Sequence, residues 1–98
     1  MEVVWLKGAV TDLDEIATYL AERNPAAAAK TAAALHDAAS LLGDHPRMGR
    51  KGRVPGTREL VVSRLPFVIA YRVRRDRLEV LRVIHGRRHW QTAFFEQT

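Results

Sequence analysis

A chain of 98 residues is long enough for one hydrophobic core but too short to divide it, so we expect a single domain over residues 1–98. The absence of cysteine excludes disulfide bonds, a thiolate nucleophile and a cysteine-ligated zinc site. The net charge of +5 is unevenly distributed, because residues 1–43 carry a net charge of −3 and residues 44–98 carry +8. The basic second half indicates an anionic partner, such as nucleic acid or an acidic protein segment.

The N-terminal sequence MEVVWLKG has neither a basic segment nor a long apolar core of the kind that directs export. No apolar run elsewhere approaches the roughly 20 residues needed to span a bilayer. We therefore expect a soluble cytoplasmic protein that does not contact a membrane.

The first predicted elements are a short strand and a helix. Residues 2–6 are rich in strand-forming side chains, and Gly8 ends the run. Over residues 9–22, apolar side chains recur at the spacing of one helical face. Near the start of this helix the dipole favours the negative charges of Asp12, Asp14 and Glu15. The apolar face consists of Val10, Leu13, Ile16, Ala17 and Leu20.

A second helix is predicted from the pair Asn24-Pro25. Asparagine caps the free amide groups of a helix start, and proline at the first helical position loses no hydrogen bond. Gly43 is placed to end this helix. Since only a couple of residues join the two helices, we expect an antiparallel hairpin. The buried row of the second helix is predicted to be Ala28, Ala32, Leu35, Ala39 and Leu42.

Three strands, at residues 57–63, 67–73 and 78–85, are predicted after a glycine-rich basic segment that begins at Arg47, termed the basic loop. Their short connections leave room only for hairpins, so the strands should form an antiparallel meander. With the first strand and the helical hairpin, this predicts an α+β fold in which two helices pack on a small curved sheet.

Alternation along these strands predicts which side chains share a face. Arg72 and Arg82 fall on the face that we expect to meet solvent or a ligand. In the last strand, the same alternation places Val80 on the face of Arg82 and Val83 on the opposite face.

Several classes of site find no support in the spacing of the polar residues. The four histidines lack a metal-binding spacing and a nearby paired carboxylate, so we expect no metal and no cofactor. The glycines of GRKGRVPG do not match a phosphate-binding loop and precede a strand. No nucleophile elbow surrounds Ser40 or Ser63. The histidines are His36, His45, His85 and His89.

Arginine and histidine are left as the residues that could carry chemistry. Guanidinium groups bind phosphate in a bidentate manner and an imidazole could move a proton, which would suffice to cleave RNA through its 2′-hydroxyl. Trp90 could stack on a base. The alternative is that Trp90 seals the edge of the core and that the arginines form a solvated rim. The group comprises Arg58, Arg72, Arg82, His85, Arg87 and Arg88.

The order of these segments resembles the RelE/ParE superfamily of toxins from bacterial type II toxin–antitoxin modules. The resemblance spans residues 3–90 and rests on DLDEIATYLAERNPAAA, LLGDHPRMGRKGRVPGTREL, LPFVIAYRV and LEVLRVIHGRRHW in that order. It implies the same α+β architecture that the residue pattern predicts. It also implies a role in growth inhibition or plasmid stabilisation, and a cognate antitoxin that wraps an extended or helical segment around the toxin.

The resemblance implies one of two activities. RelE-type members cut mRNA in the ribosomal A site, whereas ParE-type members poison DNA gyrase and lack that catalytic set. The ribonuclease branch is expected to carry an arginine at the position of Val68 and lysines near Glu59 and Val61, and it often has a tyrosine where this chain has Phe94 or Phe95. We therefore favour a ParE-like toxin that binds gyrase, with a ribosome-dependent mRNA endonuclease as the alternative. A plain nucleic-acid-binding module is a third interpretation, motivated only by the basic second half.

Two overlapping sets of candidate site residues follow. The antitoxin is expected to contact the helical hairpin and an exposed sheet edge in a hetero-oligomeric complex. If the protein is an endonuclease, the catalytic candidates are Arg58, Arg72, Arg82, His85 and Arg88. For binding a target or nucleic acid, the candidates are Arg50, Lys51, Arg53, Arg58, Arg87, Arg88 and Trp90.

Overall fold

The computed structural model describes residues 1–86 and confirms the α+β class, with two helices packed on one sheet. The predicted helices and strands are all present, and their bounds differ from the prediction by at most two residues. In chain order the elements are β1 (Glu2–Trp5), α1 (Lys7–Ala21), α2 (Pro25–Asp44), β2 (Arg50–Lys51), β3 (Arg58–Val61), β4 (Phe67–Arg74) and β5 (Arg77–His85).

The sheet has five strands in the order β1-β5-β4-β3-β2, one strand more than the sequence predicts. β3, β4 and β5 form the expected antiparallel meander. β1 pairs with β5 in parallel, with Glu2 opposite Arg77. The additional strand is β2, which pairs antiparallel with the first two residues of β3. A strand of two residues has no periodicity, so the pattern of the sequence could not reveal it.

A bulge in β5 overturns the strict alternation predicted for that strand. Tyr71 of β4 is opposite Val80, and the next pair along the ladder involves Arg82, so Leu81 has no partner. An unpaired residue in one strand shifts the side chains beyond it to the other face. Val80 and Val83 consequently both pack in the core against the helices, whereas the sequence placed them on opposite faces.

The hydrophobic core lies between the helices and the sheet. Along α2, four of the five predicted residues are buried, and Thr31 takes the place of Ala32 in the buried row. On α1 the buried face includes Ala9 and Asp12, and Val10 is turned toward solvent with 44% of its surface exposed. Val10 was predicted to be apolar packing surface but is exposed, whereas the other four predicted residues are half-buried, and Leu13 and Ile16 pack against the core.

Local capping signals correctly predict the start of α2 but not its end. Asn24 caps the helix as predicted, because its side-chain oxygen accepts a hydrogen bond from the amide of Ala27 at 3.2 Å. Gly43 does not end the helix, which continues to Asp44. Within residues 1–86, neither this helix nor α1 is long and apolar enough to cross a membrane.

Candidate interaction surface

The sheet has two ends with different chemistry, which we term the hairpin end and the His85 end. The hairpin end contains the β2–β3 loop, residues 52–57, and the β4–β5 turn, residues 75–76. The His85 end contains the β3–β4 turn, residues 62–66, and the last residue of β5. β4 connects the two ends and is eight residues long, or roughly 23 Å at about 3.3 Å per residue.

The four predicted catalytic candidates within residues 1–86 are spread along this length, so the described part of the chain does not bring all of them together. Arg58 pairs with Tyr71 of β4. His85 pairs with Phe67, four residues earlier on β4, which separates the two candidates by roughly 13 Å at about 3.3 Å per residue. Outside the described residues lie Arg87, Arg88 and Trp90.

Arg58 holds the segment that follows α2. Its guanidinium donates one hydrogen bond to the carbonyl oxygen of Gly49 at 2.7 Å and a longer one to that of Arg47 at 3.5 Å. Beside it, the buried hydroxyl of Tyr71 donates to the carbonyl oxygen of Pro46 at 2.7 Å and accepts from the amide of Gly49 at 2.9 Å. Burial raises the pKa of Tyr71, and the Gly49 hydrogen bond and the Arg58 charge oppose that shift in part. Part of the hydrogen-bonding capacity of Arg58 is therefore used within the fold.

Arg82 is buried, contrary to the expectation that it meets solvent or a ligand. Its exposed fraction is 3%, and its guanidinium donates to both carboxylate oxygens of Asp12, at 2.6 and 2.9 Å. The same carboxylate accepts from the amide of Val83 at 2.9 Å. β1 ends at Trp5, opposite Val80, so beyond that point α1 supplies a partner for the edge of β5. Asp12 and Arg82 therefore join α1 to the sheet.

Arg72 is also engaged, by a carboxylate on the neighbouring strand. Its Nε donates to Oε1 of Glu79 at 2.7 Å, and Arg77 donates to Oε2 at 3.1 Å. The hydrogen bond from Arg72 is the main reason that the pKa of Glu79 lies below its usual value, and the charges of both arginines add to the effect. Within residues 1–86, the Nε atom of Arg77 is buried and has no hydrogen-bond partner. Glu79 thus holds two guanidinium groups on the sheet face away from the helices.

A second carboxylate organises the basic loop in the same way. Glu59 is 3% exposed and accepts a hydrogen bond from the amide of Arg53 at 2.8 Å. The guanidinium of Arg50 lies 3.3 Å from its Oε1, and Nε of Arg53 lies 3.7 Å from the same atom. Two cations of the predicted binding set are therefore arranged around a buried acid, while Lys51 is exposed on β2.

The His85 end is apolar where it meets the helices. The imidazole of His85 packs edge-on against Phe67, with ring centroids 5.9 Å apart. Both residues line a hollow of about 560 Å³ together with Ile16 and Leu20 of α1 and Leu65 of the β3–β4 turn. Among residues 1–86, no group of three or more potential metal-binding side chains occurs.

A second hollow, of about 410 Å³, lies between α2 and the outer edge of the sheet. β2 pairs only with Arg58 and Glu59, so within the described part of the chain the outer edge of β3 from Leu60 onward has no strand partner. Exposed apolar side chains border this edge. They are Leu41, Met48 and Val61, with 47%, 42% and 54% of their surfaces exposed. An amphipathic or extended segment of a partner protein fits such a surface.

The arginines of the β4–β5 turn were not among the predicted interaction residues. Arg74 and Arg75 are exposed at the hairpin end, next to Arg77. The signal was present in the run RVRRDR, which contains the short connection between the second and third strands of the predicted meander. The positive charge of the hairpin end therefore extends beyond the β2–β3 loop.

Comparison with known proteins agrees with this architecture. The sequence profile of the family described as "ParE toxin of type II toxin-antitoxin system, parDE" matches residues 3–90. A protein of Sinorhizobium fredii (strain NBRC 101917 / NGR234) named "Putative toxin Y4kP" is 41% identical over 86 residues, which cover 88% of each chain. A solved structure described as "Chromosomal ParDE TA system from P. aeruginosa" superposes with a TM-score of 0.79 and 28% identity, covering 87% of this chain and 95% of that one. The chain therefore belongs to the ParE toxin family of type II toxin–antitoxin systems.

Proposed function

We propose that this toxin arrests growth in the cytoplasm by binding DNA gyrase, and that a cognate antitoxin neutralises it in a hetero-oligomeric complex. The family membership supports a toxin with an antitoxin partner. The observation that favours gyrase binding over RNA cleavage is the buried carboxylate of Glu59, near which the ribonuclease branch is expected to carry lysine. A buried acid already paired with two arginines offers no positive charge of its own to an RNA phosphate.

A supercoiling assay tests the gyrase proposal. Purified toxin added to gyrase and relaxed plasmid should inhibit supercoiling or trap cleaved DNA, and toxin already bound to its antitoxin should do neither. In cells that express the toxin alone, DNA synthesis should stop before protein synthesis. Unimpaired supercoiling at a large molar excess of folded toxin would contradict the proposal.

The mRNA endonuclease is the second candidate, because His85 is an exposed imidazole and is followed in sequence by Gly86, Arg87 and Arg88. A histidine beside guanidinium groups could support proton transfer at a phosphate. If this candidate is correct, primer extension on translated messages should reveal cuts soon after induction. Intact messages in growth-arrested cells would exclude it.

For the antitoxin, we propose the hollow between α2 and the outer edge of β3. Lysine at Leu41 and at Val61 would place charge on the apolar rim, so the double variant L41K/V61K should bind the antitoxin weakly and should arrest growth even when the antitoxin is present. Val10→Lys is the matched control, because Val10 is an exposed apolar residue on α1, outside this hollow. Full rescue of L41K/V61K by the antitoxin would contradict this contact surface.

A further inference from the structure

The β4–β5 turn presents arginine on a strained backbone. Arg75 and Asp76 both have positive φ angles, 54° and 61°, a conformation that glycine or asparagine adopts more readily in such two-residue turns. The turn lies between Arg74 and Arg77, which are directly opposite each other in the ladder. Like charges at opposite positions of a sheet repel each other. The turn thus carries arginine despite both the strain and the repulsion.

The carboxylates near the turn do not form enough ion pairs and hydrogen bonds to neutralise Arg74, Arg75 and Arg77. Glu79 is shared between Arg72 and Arg77, and the Nε atom of Arg77 has no hydrogen-bond partner in the described part of the chain. Arg74 and Arg75 are exposed and form no ion pair with any residue between positions 1 and 86. Two other acids lie at the hairpin end: Asp76 in the turn itself, and Glu2, the β1 residue opposite Arg77. Neither forms an ion pair with Arg74, Arg75 or Arg77.

The β2–β3 loop brings further cations to the same end of the sheet. Arg58 begins β3 and pairs with Tyr71, only three residues before Arg74 on β4. Neighbouring strands are about 4.8 Å apart, so the axes of the two hairpins lie roughly 10 Å from each other. Lys51 is exposed on β2, and the Arg50 and Arg53 side chains around Glu59 are each about half exposed. Cations at the tips of two adjacent hairpins thus form one broad surface.

We propose that the hairpin end binds the phosphate backbone of duplex DNA through Arg74 and Arg75. Guanidinium groups form bidentate hydrogen bonds with phosphate, and several of them spread over two hairpins match an anion whose charges repeat at regular spacing. A DNA backbone has this property, whereas a single acidic side chain does not. The inference rests on the proposed function, since gyrase acts on DNA and the toxin would contact both.

Fluorescence anisotropy with a labelled duplex of about 20 base pairs tests the inference on the full chain without gyrase. The double variant R74Q/R75N removes two cations and gives the left-handed position an asparagine, which tolerates that conformation. If each arginine contacts one phosphate, the slope of log K against log salt concentration should decrease in magnitude by roughly 2, and affinity should fall by about tenfold or more at low salt.

The matched control is K30Q/R64N. It also removes two cations, and Arg64, in the β3–β4 turn, has a positive φ of 64° like Arg75. The control should keep the affinity and the salt slope of the wild type. Equal weakening of both double variants, unchanged binding of R74Q/R75N, or tighter binding to polyglutamate or to single-stranded RNA than to duplex DNA would overturn the inference.

The gyrase assay separates this inference from the proposed function. Wild-type toxin that inhibits gyrase but does not bind DNA by itself would overturn the DNA inference and leave the gyrase proposal intact. Toxin that binds DNA through Arg74 and Arg75 but has no effect on gyrase would overturn the gyrase proposal alone. Circular dichroism of R74Q/R75N should match the wild type, because both side chains are exposed.

Discussion

Replacement of Asp12 should strongly lower the stability of the protein. Asp12→Ala leaves the guanidinium of Arg82 buried without its carboxylate and removes the acceptor of the Val83 amide. Removing one partner of a buried ion pair typically costs about 3–5 kcal/mol. We expect a loss of that size in the free energy of unfolding, measured by urea denaturation and circular dichroism.

Two further variants test this interpretation of Asp12. Asp14→Ala removes an exposed acid from the same helix and should change stability by less than about 0.5 kcal/mol. Asp12→Leu combined with Arg82→Met replaces both charges by apolar groups, and it should destabilise the protein less than Asp12→Ala does. If Asp12→Ala and Asp14→Ala had equal effects, Asp12 would not join α1 to the sheet.

The buried hydroxyl of Tyr71 should make the free energy of unfolding depend on pH in the alkaline range. Tyr71→Phe deprives the Gly49 amide and the Pro46 carbonyl of the hydroxyl, which should cost about 1–3 kcal/mol near neutral pH. Because burial raises the pKa of Tyr71 above 10.0, the unfolded chain loses this proton first. The contribution of the hydroxyl is therefore complete below the unfolded pKa and is lost as the pH rises through the folded pKa.

The measurement is the difference in unfolding free energy between the wild type and Tyr71→Phe as a function of pH. The difference should be constant near neutral pH and should shrink above about pH 10. Tyr19→Phe is the control, since Tyr19 is 57% exposed. A difference that grows with alkalinity would show that the sign of the argument is wrong.

Elements were predictable from the sequence where the signals were local. Asn24-Pro25 indicated the start of α2 because capping involves only the first turn of the helix. The bulge at Leu81 was not predictable, since it depends on the register between β4 and β5. Asp12 was interpreted as an acid near a helix start, but α1 begins at Lys7 and has no acid in its first turn. Only the packing of α1 on β5 brings Asp12 to Arg82.

The candidate site shows the same limit. Composition located the cations of the basic loop, but the groups that orient them come from other segments. Glu59 arranges Arg50 and Arg53, and Glu79 arranges Arg72 from the neighbouring strand. Which arginines are engaged and which project into solvent is a property of strand pairing, and a list of charges along the chain does not contain it.

The packing of α2 on β1 depends on Gly43. A Cβ atom at this position would lie 2.8 Å from Cγ2 of Val3 and 3.0 Å from the carbonyl oxygen of Met1. Alanine is favoured over glycine in a helix interior by about 1 kcal/mol, but overpacking costs about 1–3 kcal/mol. Because Gly43 lies in the last turn, where the helical gain is smallest, we expect Gly43→Ala to lower the melting temperature.

A double-mutant cycle with Val3→Ala identifies the contact. Removing the Val3 methyl groups should relieve the clash, so the double variant should lose less stability than the sum of the two single variants. The same thermal melts measure all three variants. A Gly43→Ala protein that melts above the wild type would contradict the close approach of α2 and β1.

The molecule as a whole should unfold in one cooperative step, because its helices and its sheet share one core. Leu35 of α2 and Val80 of β5 belong to the same buried cluster. Leu35→Ala should therefore cost about 2–5 kcal/mol and destabilise the sheet as much as the helix. Far-UV circular dichroism reports the helices, and fluorescence of Trp5 on β1 reports the sheet edge in a Trp90→Phe background.

Both probes should give the same midpoint in the Leu35→Ala variant, shifted equally from that of the parent. Trp5 is a suitable reporter because its ring lies 4.9 Å from that of His36, so its environment changes when α2 separates from the sheet. Leu41→Ala, at a 47% exposed position of the same helix, is the control and should shift the midpoint far less. Two separate midpoints would mean that the helical hairpin unfolds independently of the sheet. If α1 and α2 unfolded alone, the α2 side of the hollow proposed for the antitoxin would change shape. The β2–β3 loop and the β4–β5 turn at the hairpin end of the sheet would stay intact.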